Sequence, residues 1–299
     1  MPKEKNTPLT DPLEKYPHTE FPMQKQQAPG LQSRMRPLPD SREKTYRGYG
    51  RLQGRRALIT GGDSGIGRAV AIACAREGTA VTIPYLPEER EDGMSLVPLL
   101  QEEGRKIHLM PADLRKEEVC KQGIDFAVGR MDGLDLLVCN AGMQTAQEDI
   151  ADLTARQIQT TFEVNVFSVM YLCKAAVPHL SPGSSVVITA SAEYDTPNKV
   201  LLDYAASKSA VVGFGLALSK PVIGKGICLN VVCPGPVWTP LEGSGGNSDD
   251  QIPRHGLDTP MKRPAQPVEM AGVYVFLASG EASYVTGEVY GRTGGLSSK

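Results

Sequence analysis

The chain has 299 residues and a formal net charge of −2, with 40% apolar and 22% charged residues, enough apolar material for a sizeable core. A pI near 6.1 argues against a broadly basic nucleic-acid binder, because phosphate binding needs clustered Lys and Arg. No apolar run reaches the roughly 18 residues of an ordinary membrane helix. The N-terminus has no apolar signal-peptide core, so a cytoplasmic protein is expected. Cys74, Cys120, Cys139, Cys173, Cys228 and Cys233 form no CxxC pair and read as buried reduced thiols. His18, His108, His179 and His255 share no metal-ligand spacing, and no structural metal is expected.

Residues 1–50 stand apart. Eight of the 23 prolines fall there, among many charges and few aliphatics. Proline removes a backbone donor and fixes φ, so this stretch reads as an extended arm without long helices or central strands. It is either disordered or packed on its own domain or a neighbouring subunit, with Phe21, Met23, Leu31 and Met35 as anchors. From residue 51 to the end, short apolar runs alternate with helical patterns. Expected strands are Ala57–Thr60, Val81–Ile83, Ile107–Met110, Leu134–Cys139, Ser185–Thr189 and Ile227–Val232, with a first helix over Arg68–Glu77 ended by Gly78. Continuous apolar strands separated by amphipathic stretches indicate parallel strands covered on both faces. A single doubly wound, Rossmann-like α/β domain is therefore expected, with its ligand at the carboxyl ends of the strands.

The turn Thr60-Gly61-Gly62-Asp63-Ser64-Gly65-Ile66-Gly67 lies between the first strand and the first helix. Its glycines permit a tight turn and let backbone N–H groups approach a pyrophosphate at the helix N-terminus. Tyr204 and Lys208 sit four residues apart, on one face of a helix. An ammonium beside a phenol favours the phenolate and lowers the tyrosine pKa, which makes Tyr204 a usable acid/base. Ser191, at the end of an expected strand, supplies a hydroxyl.

Together these residues resemble the short-chain dehydrogenase/reductase family, over nearly everything from Arg51 to Gly295. The resemblance implies that TGGDSGIG at 60–67 is the dinucleotide motif, contributing Gly61, Asp63, Ser64, Gly65, Ile66 and Gly67. It further implies that Asp113 and Leu114 hold the adenine, and that Asn140, Ala141 and Gly142 form the NAG motif. Asn165, Ser191, Tyr204 and Lys208 correspond to the catalytic tetrad, with Lys208 also binding the nicotinamide ribose and Asn165 holding Lys208 and a water chain. Pro234, Gly235, Val237 and Thr239 fall in the segment that contacts the nicotinamide. The arm from Gln24 to Asp40, the run Gly61–Ser64 and the run Thr259–Arg263 look like a subgroup that includes general-stress oxidoreductases, glucose/ribitol dehydrogenase homologues and aldehyde reductases.

Two positions depart from the common pattern. Tyr85 ends the second strand, where NAD-preferring members carry an Asp for the ribose 2′-hydroxyl. NADP is therefore the expected cofactor, with Arg68 a candidate for the 2′-phosphate and NAD not excluded, Asp63 pulling toward NAD. Arg292-Thr293-Gly294-Gly295 stands where many members have a DGG run, a change expected to affect local packing. Hydride transfer between the cofactor and a small carbonyl or alcohol substrate is implied, with neither nucleic acid nor membrane as a partner. NAD-dependent polyol or sugar oxidation, a tailoring ketoreductase and a cofactor-binding scaffold without turnover stay open. The Gly- and Ser-rich stretch at about 240–262 is expected to be a lid, and Glu193, Tyr194 and Asp195 to line the pocket. Family members commonly form tetramers. Here the contact surfaces would be Thr154–Pro178, Leu202–Lys220 and Tyr284–Tyr290, with Val166, Val169, Val211 and Leu216 as surplus apolar positions.

Overall fold

The strand runs are apolar at successive positions because both faces of each strand are covered. In β1 (Arg56–Ile59), Ala57 and Ile59 join one buried cluster while Leu58 joins the other. The computed structural model describes residues 9–248 and 250–296. The start of the expected arm, with Pro2, Glu4 and Pro8, lies outside the described residues, as do Asp249 of the expected lid and residues 297–299.

In chain order β1 is followed by α1 (Gly65–Arg76), β2 (Ala80–Tyr85), α2 (Arg90–Gln101), β3 (Ile107–Pro111), α3 (Glu117–Met131) and β4 (Leu134–Cys139). Then come α4 (Ala155–Phe162), α5 (Ser168–Ala176), β5 (Leu180–Thr189), α6 (Leu202–Ile223) and β6 (Cys228–Pro234). The chain ends with α7 (Pro240–Ser244), α8 (Pro267–Ala278) and β7 (Val289–Arg292). The seven strands are all parallel, in the order β3-β2-β1-β4-β5-β6-β7. The side chains of α1, α2 and α8 fill the cluster on one face, and those of α3, α5 and α6 the cluster on the other. This is a single Rossmann-like α/β domain with an extension before its first strand.

Three local differences from the sequence pattern have physical causes. The first helix begins at Gly65 rather than Arg68, because the last two motif glycines form its first turn. β5 begins at Leu180, five residues early. Its opening residues carry Pro182 and Gly183 and join β4 through a register shift at Leu134 and Leu136. A π turn at Glu163–Phe167 separates α4 from α5, a device that re-aims side chains within a helix. Val166, Val169 and Val211 are not surplus positions for a partner, because each lies in the core of the single subunit.

The arm packs on its own domain. Phe21 stacks on Trp238 with ring centroids 3.9 Å apart and planes 11° from parallel, and Met35 and Leu31 are also buried. Met23 is exposed and anchors nothing. Phe21, Leu31 and Met35 thus find their burial within one chain. Its last turn is tied to α1 by Glu77. That carboxylate accepts from the Tyr46 hydroxyl at 2.8 Å, from Tyr49 N at 2.8 Å, and from Arg51 Nη2 at 2.7 Å. The described cysteines are free thiols, and burial pushes Cys74 and Cys233 up to about 12, which keeps them protonated and inert. Among the described residues no helix is long and apolar enough to cross a membrane, and no cluster has the make-up of a metal site.

Burial alone would push the Glu77 carboxyl up, but the donors from Arg51, Tyr49 and Tyr46 hold it down at about 2. A depressed carboxyl contributes stability that is full above its ordinary value of 4.5 and is lost as pH falls toward 2. Glu77→Gln is therefore expected to lower unfolding free energy by about 2 kcal/mol at pH 7 and by much less near pH 2. Urea unfolding at both pH values measures this, and an equal loss at both would contradict the assignment.

Candidate active site

Parallel strands leave their last carbonyls and the first amides of the following helices at one edge of the sheet. Where the chain reverses direction across the sheet, β1 and β4 are neighbours whose following segments run to opposite sides. Thr60 holds this fork. Its N–H donates to the Val138 carbonyl at 3.0 Å, and its hydroxyl accepts from Asn140 N and Ala141 N, both at 2.9 Å. The Asn140 amide donates back to the Thr60 carbonyl at 3.2 Å. Above the fork opens a cleft of about 1300 Å³.

The glycine-rich turn forms one wall. Gly61 and Gly65 have φ of +61° and +50°, values that favour glycine. A Cβ at Gly65 would lie 3.0 Å from the Thr239 side chain, and one at Gly67 would collide with the Gly61 carbonyl. The first amide of α1 to close onto the chain is Arg68 N, on the Ser64 carbonyl at 2.9 Å. The amides before it have no partner within the helix and carry its positive end. A cradle that any Cβ would fill, with amides at its floor and a long cleft beyond, fits a dinucleotide pyrophosphate.

Gly61, Ser64, Gly65, Ile66, Tyr85, Asp113, Leu114, Asn140, Ala141, Gly142, Pro234, Gly235, Val237 and Thr239 all line the cleft. Asp63 and Gly67 do not. Gly67 serves the close approach of α1 to the turn. Asp63 is fully buried behind the cleft wall and does not face a ribose there, and burial, with the nearby Asp92 carboxylate, raises its pKa. Arg68 is also withdrawn. Its guanidinium donates to Glu43 at 2.7 Å and to the carbonyls of Asp63 and Asp92 at 3.1 and 3.0 Å, so it cannot grip a 2′-phosphate. Asp113 lines the cleft paired with Arg115 at 2.5 Å, and the bonds from Arg115 hold its carboxyl below the usual range.

The chemical end lies where β5 and α6 meet. Ser191 follows β5 and caps a short turn, its Oγ accepting from Glu193 N at 3.2 Å. Tyr204 and Lys208 project from the first turns of α6 as their spacing demands. Tyr204 and Ser191 both line the cleft, and Ser191 favours the tyrosinate, though less strongly than burial opposes it. Lys208 Nζ lies 5.5 Å from the Tyr204 ring centroid and donates to the Thr189 carbonyl at 3.1 Å. The expected lowering of the Tyr204 pKa by Lys208 does not occur in this structure. Burial raises Tyr204 and lowers Lys208 to about 8, because water solvates neither charged form well here. Tyr204 is a neutral phenol, the proton-donating form.

Asn165, in the π turn, does not hold Lys208 directly. Its Oδ1 accepts from Met143 N at 2.9 Å, and its Nδ2 donates to the Met143 carbonyl and to Ser207 Oγ, both at 2.9 Å. It locks the loop after β4 to α6. A Cβ at Gly142 would lie 3.4 Å from both Asn165 Oδ1 and Lys208 Nζ, so glycine keeps the space between them open.

Four residues escaped the sequence reading. Asp203 is buried and accepts from Thr161 Oγ1 at 2.6 Å and from Gln157, fixing the start of α6 against α4. Thr189 holds Lys208 through its carbonyl, and its hydroxyl bonds Tyr274 at 2.8 Å. Glu242 and His255 line the cleft as a pair, Oε2 to Nδ1 at 3.1 Å, and His255 Nε2 is buried with no hydrogen-bond partner among the described residues. Nothing in their spacing signals the pair, because it forms only when the chain after α7 folds back on itself. Of Glu193, Tyr194 and Asp195, expected to line the pocket, only Glu193 does so.

A family model described as enoyl-(acyl carrier protein) reductase matches residues 61–297. The uncharacterized oxidoreductase YhxD of Bacillus subtilis is 52% identical, over 96% of this chain and 97% of its own. NADPH-dependent aldehyde reductase 1, chloroplastic, of Arabidopsis thaliana is 38% identical, over 91% of this chain and 96% of its own. The crystal structure of a short-chain dehydrogenase from Burkholderia cenocepacia in complex with NADP is 31% identical and superposes with a TM-score of 0.75, over 82% of this chain and 98% of that one. With this cleft and these relatives, the chain belongs to the short-chain dehydrogenase/reductase family and is an NAD(P)-dependent oxidoreductase.

Proposed function

We propose that the protein reduces an aldehyde or ketone with NADPH, in the cytoplasm. The observation that carries this reading is Tyr204, a buried neutral phenol on the cleft wall with Ser191 and Lys208 beside it. When bound, the cofactor supplies the hydride. As the substrate carbonyl oxygen gains charge, Tyr204 donates its proton to it, and the Ser191 hydroxyl donates a hydrogen bond to the same oxygen. Lys208 binds the nicotinamide ribose and stabilises the tyrosinate once the proton has left. Asn165 is a positioning residue that acts through Met143 and Ser207.

Two features support NADP(H), with NAD(H) as the alternative. Tyr85 brings no carboxylate to the end of β2. Glu89, on the cleft wall, is pushed up by burial and by the neighbouring Asp63, which weakens its repulsion of a 2′-phosphate. The names of the Arabidopsis and Burkholderia relatives point the same way. A second reading, NAD-dependent oxidation of a polyol or sugar, is favoured by the polar walls at the chemical end, where Gln144, Glu193, Asn198, Glu242 and His255 line the cleft.

We also read the protein as a homotetramer. Ile158 on α4, Phe167 in the π turn and Tyr284 ahead of β7 are exposed, and Phe162 and Tyr171 ring Phe167 with centroids 6.4 Å away. Apolar rings gathered on an exposed helix face suit a subunit contact.

Three measurements test these statements. Tyr204→Phe should bind NADPH like the wild type and lose at least about a thousandfold in kcat across a panel of aldehydes, ketones and sugars. Retention of half the wild-type kcat would overturn the mechanism, and a panel answered only by polyols with NAD would establish the second reading. Tyr85→Asp should shift the kcat/KM ratio for NADPH over NADH by roughly tenfold toward NADH. An unchanged ratio would place the discrimination elsewhere. Light scattering of the full chain at micromolar concentration should give four times the 32.2 kDa subunit mass, and a monomer would contradict the assembly.

A further inference from the structure

The arm does more than cover the domain surface. It connects the two walls of the cleft, and it lies outside the residues 61–297 matched by the family model. On the glycine side, Gly65 N–H begins α1 and the Ser64 side chain does not cap it. Its partner comes instead from the arm, as Gln32 Oε1 accepts from it at 2.8 Å. Gln32 is buried and is fixed by Asp92 of α2, whose carboxylate accepts from Gln32 N at 2.5 Å and from Ser33 N at 3.0 Å.

On the other side, the Gln26 side chain clamps a small loop shut, donating to the Leu31 carbonyl at 3.0 Å and accepting from Leu31 N at 2.8 Å. Ala28, Pro29 and Gly30 at the tip of that loop line the cleft. The loop rests on α7, with Gln26 N donating to the Gly243 carbonyl at 2.9 Å. A Cβ at Gly30 would stand 2.9 Å from the Pro240 carbonyl and 3.1 Å from the Ser244 side chain. The fit there leaves no room for a larger residue.

We infer that the arm is a third wall of the dinucleotide site: Gln32 is a positioning residue that holds the glycine turn in its phosphate-accepting shape, and the Ala28–Gly30 loop encloses the bound cofactor from outside. The inference rests on the reading that the cleft binds NADP(H). Gln32 engages the one amide that begins the helix, which fixes Gly65 and leaves the following amides aimed into the cleft. The loop holds α7 against the opposite wall, so the cofactor leaves only when loop and α7 separate.

The test is NADPH binding to the full chain without substrate, read as Kd by fluorescence titration and as a dissociation rate by stopped flow. Gln32→Met keeps the side chain's length and removes the acceptor. It should raise the NADPH Kd by about five- to tenfold, whereas a merely structural role would lower the melting temperature and leave the Kd of the folded protein unchanged. Gly30→Val, which presses on α7, should speed NADPH dissociation by about tenfold with Gln32 intact. Wild-type Kd and dissociation rate in both variants would overturn the inference, as would wild-type rates in Gly30→Val should Gln32→Met fail to fold. A wild-type chain that binds neither NADPH nor NADH would overturn the parent reading of the cleft instead.

Discussion

Everything at the active edge depends on the fork between β1 and β4, where two hydrogen-bonded strands must part without leaving buried backbone groups unpaired. Thr60 accomplishes this with one side chain. Its hydroxyl takes the two amides that β1 can no longer satisfy, and Asn140 returns its own amide to the carbonyls of the glycine turn. The strands therefore separate at a fixed angle. The glycine turn goes to one side, the loop carrying Gly142 and Met143 goes to the other, and Asn165 can fasten that loop to α6. Tyr204 and Lys208 are thus placed relative to the cofactor cradle by a short chain of bonds that begins at Thr60.

The charged groups around this fork illustrate how burial and partnership trade against each other. Glu77 is satisfied by several donors and stays ionised. Asp63 and Glu89 lie near one another with fewer donors, and their carboxyls rise. Arg68 is buried beside them, yet it is spent on Glu43 and on two backbone carbonyls. It joins the arm, α1 and α2 at one point. The same physics holds at the chemical end, where Tyr204 and Lys208 both move toward their neutral forms. The proton therefore stays on the phenol, and the Lys208 ammonium gives up its proton more readily than an exposed lysine.

The strands and the catalytic trio were legible in the sequence for a common reason: both are encoded by local spacing. Leu134–Cys139 reads as a buried strand because its alternate side chains feed two cores, and Tyr204 and Lys208 share a helix face by their separation alone. The roles of Arg68, Asp63 and Gln32 were not legible. Each is decided by contacts between segments far apart in the chain, and an irregular, proline-rich segment carries no periodicity from which such contacts could be inferred. Val211 shows the converse limit. On α6, an apolar residue bound for the core and one bound for a partner look alike, since that helix is apolar on most sides.

The chain contains a single tryptophan, and it is the residue on which the arm closes. Trp238 is fully buried, stacked under Phe21, with its indole N–H donating to the Pro37 carbonyl at 2.9 Å. It is flanked by Val237 and Thr239 of the cleft wall. The protein therefore carries a built-in optical gauge. Emission excited selectively through the indole comes from one site, its wavelength reports whether the arm shields that ring from water, and its proximity to the cleft allows energy transfer to a reduced nicotinamide. The docking of the arm and the filling of the cleft can be followed in the same spectrum, with no label added.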